Sequence, residues 1–136
     1  MVGVIFLDLD GFKLVNDTHG HRTGDLVLVE AVRRVEQCIR DTDTLGRLGG
    51  DEFLVVCTDA CDLAAVVQIG TRIADMFAVP VDLADDAIAI RASIGIAVGH
   101  GSSTTSESLI ADADAAMYVA KRNGDGRPVA YQPCDP

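Results

Sequence analysis

A chain of 136 residues is long enough to bury one hydrophobic core. With 49% hydrophobic and 24% charged residues it is no disordered or collagen-like chain. A net charge of −10 repels phosphate backbones, which argues against nucleic acid as a partner; a single nucleotide stays open, because a divalent cation can neutralise its phosphates locally.

No apolar run approaches the roughly 18 residues that a membrane span needs. Met1 leads straight into an apolar segment without the basic stretch of a signal peptide. Of the four cysteines, Cys38, Cys57, Cys61 and Cys134, none forms a CxxC pair or sits at zinc-finger spacing from a histidine. Cys38 and Cys57 fall on apolar periodic faces and read as buried free thiols, so the expected compartment is a reducing cytoplasm.

Residues 2–9 form a continuous apolar run and predict a central strand that ends at Asp8-Leu9-Asp10-Gly11. Residues 16–24 are polar and read as a loop holding His19 and His21. From Asp25 the pattern is helical, with Leu28, Val32, Val35 and Ile39 on one face. Residues 40–46 read as a turn. Residues 45–48 and 53–57 predict two short strands joined through Gly49-Gly50-Asp51-Glu52, whose glycines supply the positive φ of a tight hairpin. Leu63, Val66, Val67, Ile73 and Phe77 predict a second helix. Residues 88–98 predict one long strand with Gly95 inside it, and residues 101–106 a loop. Leu109, Ala113, Ala116, Met117 and Ala120 predict a third helix, stopped by Gly124. Residues 129–131 suit a last edge strand. The order βαββαβαβ implies an α+β fold with a mixed central sheet flanked by helices.

Two places carry chemistry. Asp8 and Asp10 stand two apart near a strand end, so their side chains share a face. Carboxylate pairs of this kind suit Mg²⁺, which takes hard oxygen ligands and keeps waters and phosphate oxygens. In Gly49-Gly50-Asp51-Glu52-Phe53 the glycines let backbone approach a ligand closely, while the acids project from a hairpin tip. If the first strand pairs with this hairpin, Asp8 and Asp51 can share a metal beside a triphosphate, the arrangement of a phosphoryl or nucleotidyl transfer site.

Asp8-Leu9-Asp10-Gly11-Phe12-Lys13-Leu14-Val15-Asn16-Asp17, Gly20-His21-Arg22-Thr23-Gly24-Asp25, Arg47-Leu48-Gly49-Gly50-Asp51-Glu52-Phe53 and the ending 111–121 resemble, in order, the GGDEF family of diguanylate cyclases. That family's fold is similar to the palm of polymerases and class III adenylyl cyclases. The resemblance implies condensation of two GTP into cyclic di-GMP with loss of pyrophosphate, dependent on Mg²⁺ or Mn²⁺ and inhibited by product. It implies Asp8, Asp51 and the Leu9 carbonyl as metal ligands, with Asp51 activating the 3′-hydroxyl and Glu52 supporting the cluster. Asn16 and Asp25 resemble the guanine-reading pair. Gly11, Phe12, Lys13 and Gly50 resemble the backbone around the phosphates, and Lys121 the lysine that meets the terminal phosphates. Where the family often has an arginine four residues after that lysine, this chain has Asp125, and Arg127 is the expected substitute. Arg40 and Asp43 carry the RxxD spacing of the inhibitory product site.

The expected partners are GTP, cyclic di-GMP and a second copy of the chain, in a bacterial cytoplasm, with residues 1–136 as a single domain. The family's domains usually open with a segment containing a motif like LTGLxNR, and this chain begins at the first core strand. Two copies must meet to join two GTP, and no heptad stripe is there to hold them, so weak or no activity is expected of the chain alone. The alternative function is a catalytically weak regulatory module that binds GTP or cyclic di-GMP. A cyclase that closes one purine nucleotide on itself is a third reading.

Overall fold

The computed structural model describes residues 1–83 and 86–133, which leaves Cys134 outside the described residues. The apolar run 2–9 becomes β1 (Val2–Asp10), the middle strand of a five-stranded sheet. It is flanked by β3 (Glu52–Cys57) and β6 (Arg91–Gly99), both antiparallel to it. β2 (Asp43–Gly49) forms one edge and β7 (Val129–Ala130), parallel to β6, the other. The sheet is therefore mixed, in the order β2-β3-β1-β6-β7.

Both faces of this sheet are covered, which is why β1 is apolar at successive positions instead of alternating. Ile5, Leu7 and Leu9 point to one side, into a core with α1 (Phe12–His19), α2 (His21–Cys38) and α3 (Leu63–Phe77). Val4 and Phe6 point to the other, where Leu109, Ala113 and Met117 of α4 (Ser106–Asn123) pack with Leu54 and Ala97. The side chains of Asp62 and Thr105 cap α3 and α4 at their N-termini, and Gly124 ends α4 at φ 65°.

Three sequence expectations need correction. Residues 16–24 are not a loop: α1 covers Phe12–His19 and α2 begins at His21, four residues before Asp25. Gly20, at φ 87°, breaks the two helices apart. The short α1 buries only Phe12 and Val15, too small a stripe to register as periodicity. The turn region 40–46 holds the start of β2, so the hairpin closes to a two-residue turn at Gly50-Asp51. Finally, 88–98 is not one strand. β5 (Asp86–Ile88) pairs with β4 (Val81–Leu83) in a separate two-stranded sheet, and β6 starts at Arg91. Ile88 before the break, Ile90 within it and Ala92 after it are all buried, so the period of two runs through it unbroken.

A buried arginine ties the end of α3 to α2. Arg34 of α2 donates to the carbonyls of Met76, in the last turn of α3, and of Val79 and Pro80 just beyond it, at 2.6–3.0 Å. Its Nε meets Glu30, and its guanidinium lies 5.9 Å from the Phe77 ring centre.

The glycine in β6 has a packing role. A Cβ at Gly95 would overlap the backbone of Ala113 and Met117, so its absence lets α4 lie directly on the sheet. Gly95→Ala is expected to cost about 2–3 kcal/mol through forced separation of that helix. Gly46→Ala, on β2 with open space around it, should leave the melting temperature unchanged. Equal melting temperatures for both variants in a thermal scan would reject this account.

Candidate active site at the end of β1

The buried face that β1 shares with α4 ends in charge. Asp8 follows Val4 and Phe6 on that face, and Lys121 follows Leu109, Ala113 and Met117 at the same four-residue spacing along α4. The two meet, with Lys121 Nζ 2.7 Å from Asp8 Oδ2. Asp8 is buried among strands, whereas the lysine reaches in from a half-exposed position. Hydrogen bonding to Asp8 raises the Lys121 pKa, against the opposing effect of burial, and Asp10 and Asp51 add to the rise.

β3 brings the hairpin acids to the same place. Asp8 pairs with Glu52 in the ladder, and Leu9 N–H donates to the Asp51 carbonyl at 3.0 Å, so the turn is stitched to the end of β1. Gly49 and Gly50 adopt φ 152° and 51°, and Arg47 Nε donates to the Gly50 carbonyl at 2.9 Å, fixing the tip. Burial raises the pKa of Asp51, and the neighbouring Asp8 carboxylate raises it further, while Lys121 pulls it down. Two carboxylates and one ammonium thus share a partly buried pocket.

One oxygen shows what the pocket lacks. Asp8 Oδ1 is fully buried and has no hydrogen-bond partner among the described residues. A buried anionic oxygen without a donor is costly, and a cation there would satisfy it. Asp8, Asp51 and the Leu9 carbonyl are hard oxygen donors of the kind Mg²⁺ uses. Among the described residues no three His, Cys, Asp or Glu side chains form a complete metal cage.

The other predicted residues fall around this centre or away from it. Gly11, at φ 74°, turns β1 into α1, and no side chain caps that helix, so the first-turn amides around Phe12 and Lys13 lack intrahelical acceptors. Asn16 lies on the last turn of α1 and Asp25 in the second turn of α2, across the Gly20 break. Asp25 is therefore not a helix N-cap. Arg127 is not brought to Lys121: its backbone N–H bonds Asp125, and it lines an open cleft of about 680 Å³ with α3 and Arg91. Arg40 and Asp43 face each other at 3.1 Å, and the Asp43 side chain is fully enclosed. Burial would raise the Asp43 pKa, but hydrogen bonds from the Arg40 guanidinium and backbone N–H outweigh it and hold the carboxyl below its usual range. Burial pushes the adjacent Cys57 thiol up to about 12, with the Asp43 charge contributing. Cys38 and Cys57 are buried free thiols and Cys61 is exposed.

Sequence reasoning missed Ser93. Its hydroxyl lies 2.8 Å from both carboxylate oxygens of Asp10 and holds that side chain beside the centre. A lone hydroxyl within the buried, apolar β6 was the available signal.

Comparisons with known proteins give the family and the fold. The family described as "Diguanylate cyclase, GGDEF domain" matches residues 1–127. The chain is 43% identical over 121 residues to the bifunctional diguanylate cyclase/cyclic di-GMP phosphodiesterase MucR of Pseudomonas aeruginosa, covering 89% of this chain and 18% of that protein. It is 37% identical over 134 residues to the cyclic di-GMP phosphodiesterase PdeR of Escherichia coli, covering 97% of this chain and 20% of that protein. It thus spans about a fifth of these curated relatives. The crystal structure of the GGDEF domain of TpbB from Pseudomonas aeruginosa superposes with a TM-score of 0.91 at 36% identity, covering 97% of this chain and 83% of that one.

Proposed function

The chain belongs to the GGDEF family of diguanylate cyclase domains, with its palm-like α+β fold, and from that premise we propose that residues 1–136 form one domain that condenses two GTP into cyclic di-GMP. The observation that carries the reading is Asp8 Oδ1, a buried carboxylate oxygen without a partner, beside Asp51 at the hairpin tip.

Each half-reaction forms a bond from a 3′-oxygen to an α-phosphorus and breaks the bond to pyrophosphate. When bound between Asp8, Asp51 and the Leu9 carbonyl, Mg²⁺ or Mn²⁺ supplies charge neutralisation on the phosphates and favours ionisation of the 3′-hydroxyl. The residues of the chain do the rest. Asp51 would take the 3′-proton, a role that its raised pKa supports by bringing it closer to the range of a useful base. Glu52, paired with Asp8, keeps the cluster anionic. Lys121, now on Asp8 Oδ2, would reach from there to the terminal phosphates, with Arg127 as a more distant second cation. The free amides from Gly11 to Lys13 and the Gly50 backbone contact the phosphates. Asn16 and Asp25 read guanine, whose N1–H and N2–H₂ donors suit a carboxylate and are not matched in adenine.

Cyclic di-GMP is two-fold symmetric, so two copies must meet with their sites facing. At −10 per chain that encounter is opposed at low salt. Arg40 and Asp43 would hold product as an inhibitor once their mutual ion pair opens. Among the described residues no helix is long and apolar enough to cross a membrane.

Product analysis after incubation with GTP and Mg²⁺ tests the reading. Cyclic di-GMP is expected, abolished by EDTA, with activity per chain rising with protein concentration. A one-nucleotide cyclic product, or a specific activity unchanged over ~100-fold dilution of a monomer, would overturn it. A regulatory, non-catalytic role is the second reading, favoured by Asp125 at the expected arginine position and by a relative named for phosphodiesterase activity. GTP binding without turnover would support that reading instead.

A further inference from the structure

α2 is preceded by Gly20 at its N-cap and carries a second glycine, Gly24, inside its first turns. A glycine within a helix costs roughly 1 kcal/mol relative to alanine, so its presence calls for a local reason. The space around it supplies one. Gly24 is buried, and a Cβ built on it would overlap Oδ1 of Asn16 and stand 2.9 Å from Asn16 Cγ. The next neighbour, Phe12 Cζ, is at 3.4 Å, an ordinary contact. The carboxamide of Asn16 therefore rests on the bare backbone of α2. Its own main chain is also held, because its carbonyl accepts the Gly20 N–H at 2.8 Å. One residue further on is Asp25, exposed and free to face a ligand.

We infer that Gly24 is a specificity-determining positioning residue: by leaving room for the Asn16 carboxamide against α2, it sets the spacing between Asn16 and Asp25 and hence the preference for guanine, without touching the nucleotide. This rests on the proposed guanine-reading role of that pair. Any side chain at position 24 must turn Asn16 out of its rotamer or push α1 from α2. A donor displaced by about an ångström no longer completes its hydrogen bond, and a site with one polar group unpaired loses its discrimination.

The test is a double-mutant cycle on Gly24→Ala and Asn16→Ala, read by thermal melting and by GTP and ATP binding in Mg²⁺. Gly24→Ala should lower the melting temperature and reduce the GTP-over-ATP preference by ~10-fold or more. In the Asn16→Ala background the overlap is gone. There Gly24→Ala should raise or leave unchanged the melting temperature, as helix propensity dictates, and remove no further selectivity. Additive melting shifts would show that the carboxamide does not occupy the slot and would overturn the inference whatever the nucleotide data. A wild-type chain that prefers GTP, an Asn16→Ala chain that loses the preference and a Gly24→Ala chain that keeps it would overturn this inference alone. A wild-type chain with no preference would overturn the guanine reading and this inference together.

Discussion

Asp51→Asn is expected to lower cyclic di-GMP formation by roughly 10²–10⁴-fold, the range that general acid–base groups contribute. Asparagine keeps the shape of the hairpin tip but cannot take a proton, and it offers a shared cation one neutral oxygen in place of a charged carboxylate. Stability should move the other way. The folded protein raises the Asp51 pKa, through burial and then through the Asp8 charge. Its ionised form is thus less at home in the folded state, a penalty absent at low pH and present once the pH exceeds the folded pKa. The neutral variant escapes it, so its melting temperature at neutral pH should be no lower than wild type. Asp8→Asn should also abolish turnover, with the added loss of the Lys121 ion pair. Activity within a few-fold of wild type in Asp51→Asn, under Mg²⁺ and with the fold verified, would remove Asp51 from the mechanism.

Arg34→Met is expected to be the most damaging substitution outside the site, at about 3–5 kcal/mol, because it removes one member of a buried polar network and orphans the rest. Methionine retains a flexible stem against Phe77, so what is lost is the guanidinium and its bonds to Met76, Val79 and Pro80. For a chain of this size that corresponds to a fall in melting temperature of ~10 °C or more. Lysine should rescue little, since one ammonium cannot reproduce a planar fork that serves several carbonyls and Glu30 at once. Arg33→Met is the internal control. Arg33 contacts the same Glu30 but from an exposed position, and its melting temperature should match wild type. Equal behaviour of the two variants would mean that the network around Arg34 does not hold α3 to α2.

The positions of the candidate site residues were legible in the sequence because they stand where periodicity breaks. Asp8 ends an apolar run, and Asp51 follows two glycines that nothing but a tight turn or a close ligand explains. β1, the 52–57 strand and the three long helices were legible for the same kind of reason, as each has a face that must be buried and enough turns or pleats to display it. α1 was not, since two apolar residues make no pattern, and the β5–β6 break was not, since alternation is blind to a bend that preserves it. Arg33-Arg34 is the sharpest case: two identical neighbours in sequence, one solvated and one buried among carbonyls 42–46 residues away. Likewise only the tertiary structure placed Lys121 on Asp8, 113 residues apart, left Asp8 Oδ1 unpartnered, and pressed Asn16 onto Gly24. Local patterning determines which face of an element is buried, because burial is paid for residue by residue within it. Which charged group meets which depends on how whole elements stack, and that follows from packing contacts between segments far apart in the chain.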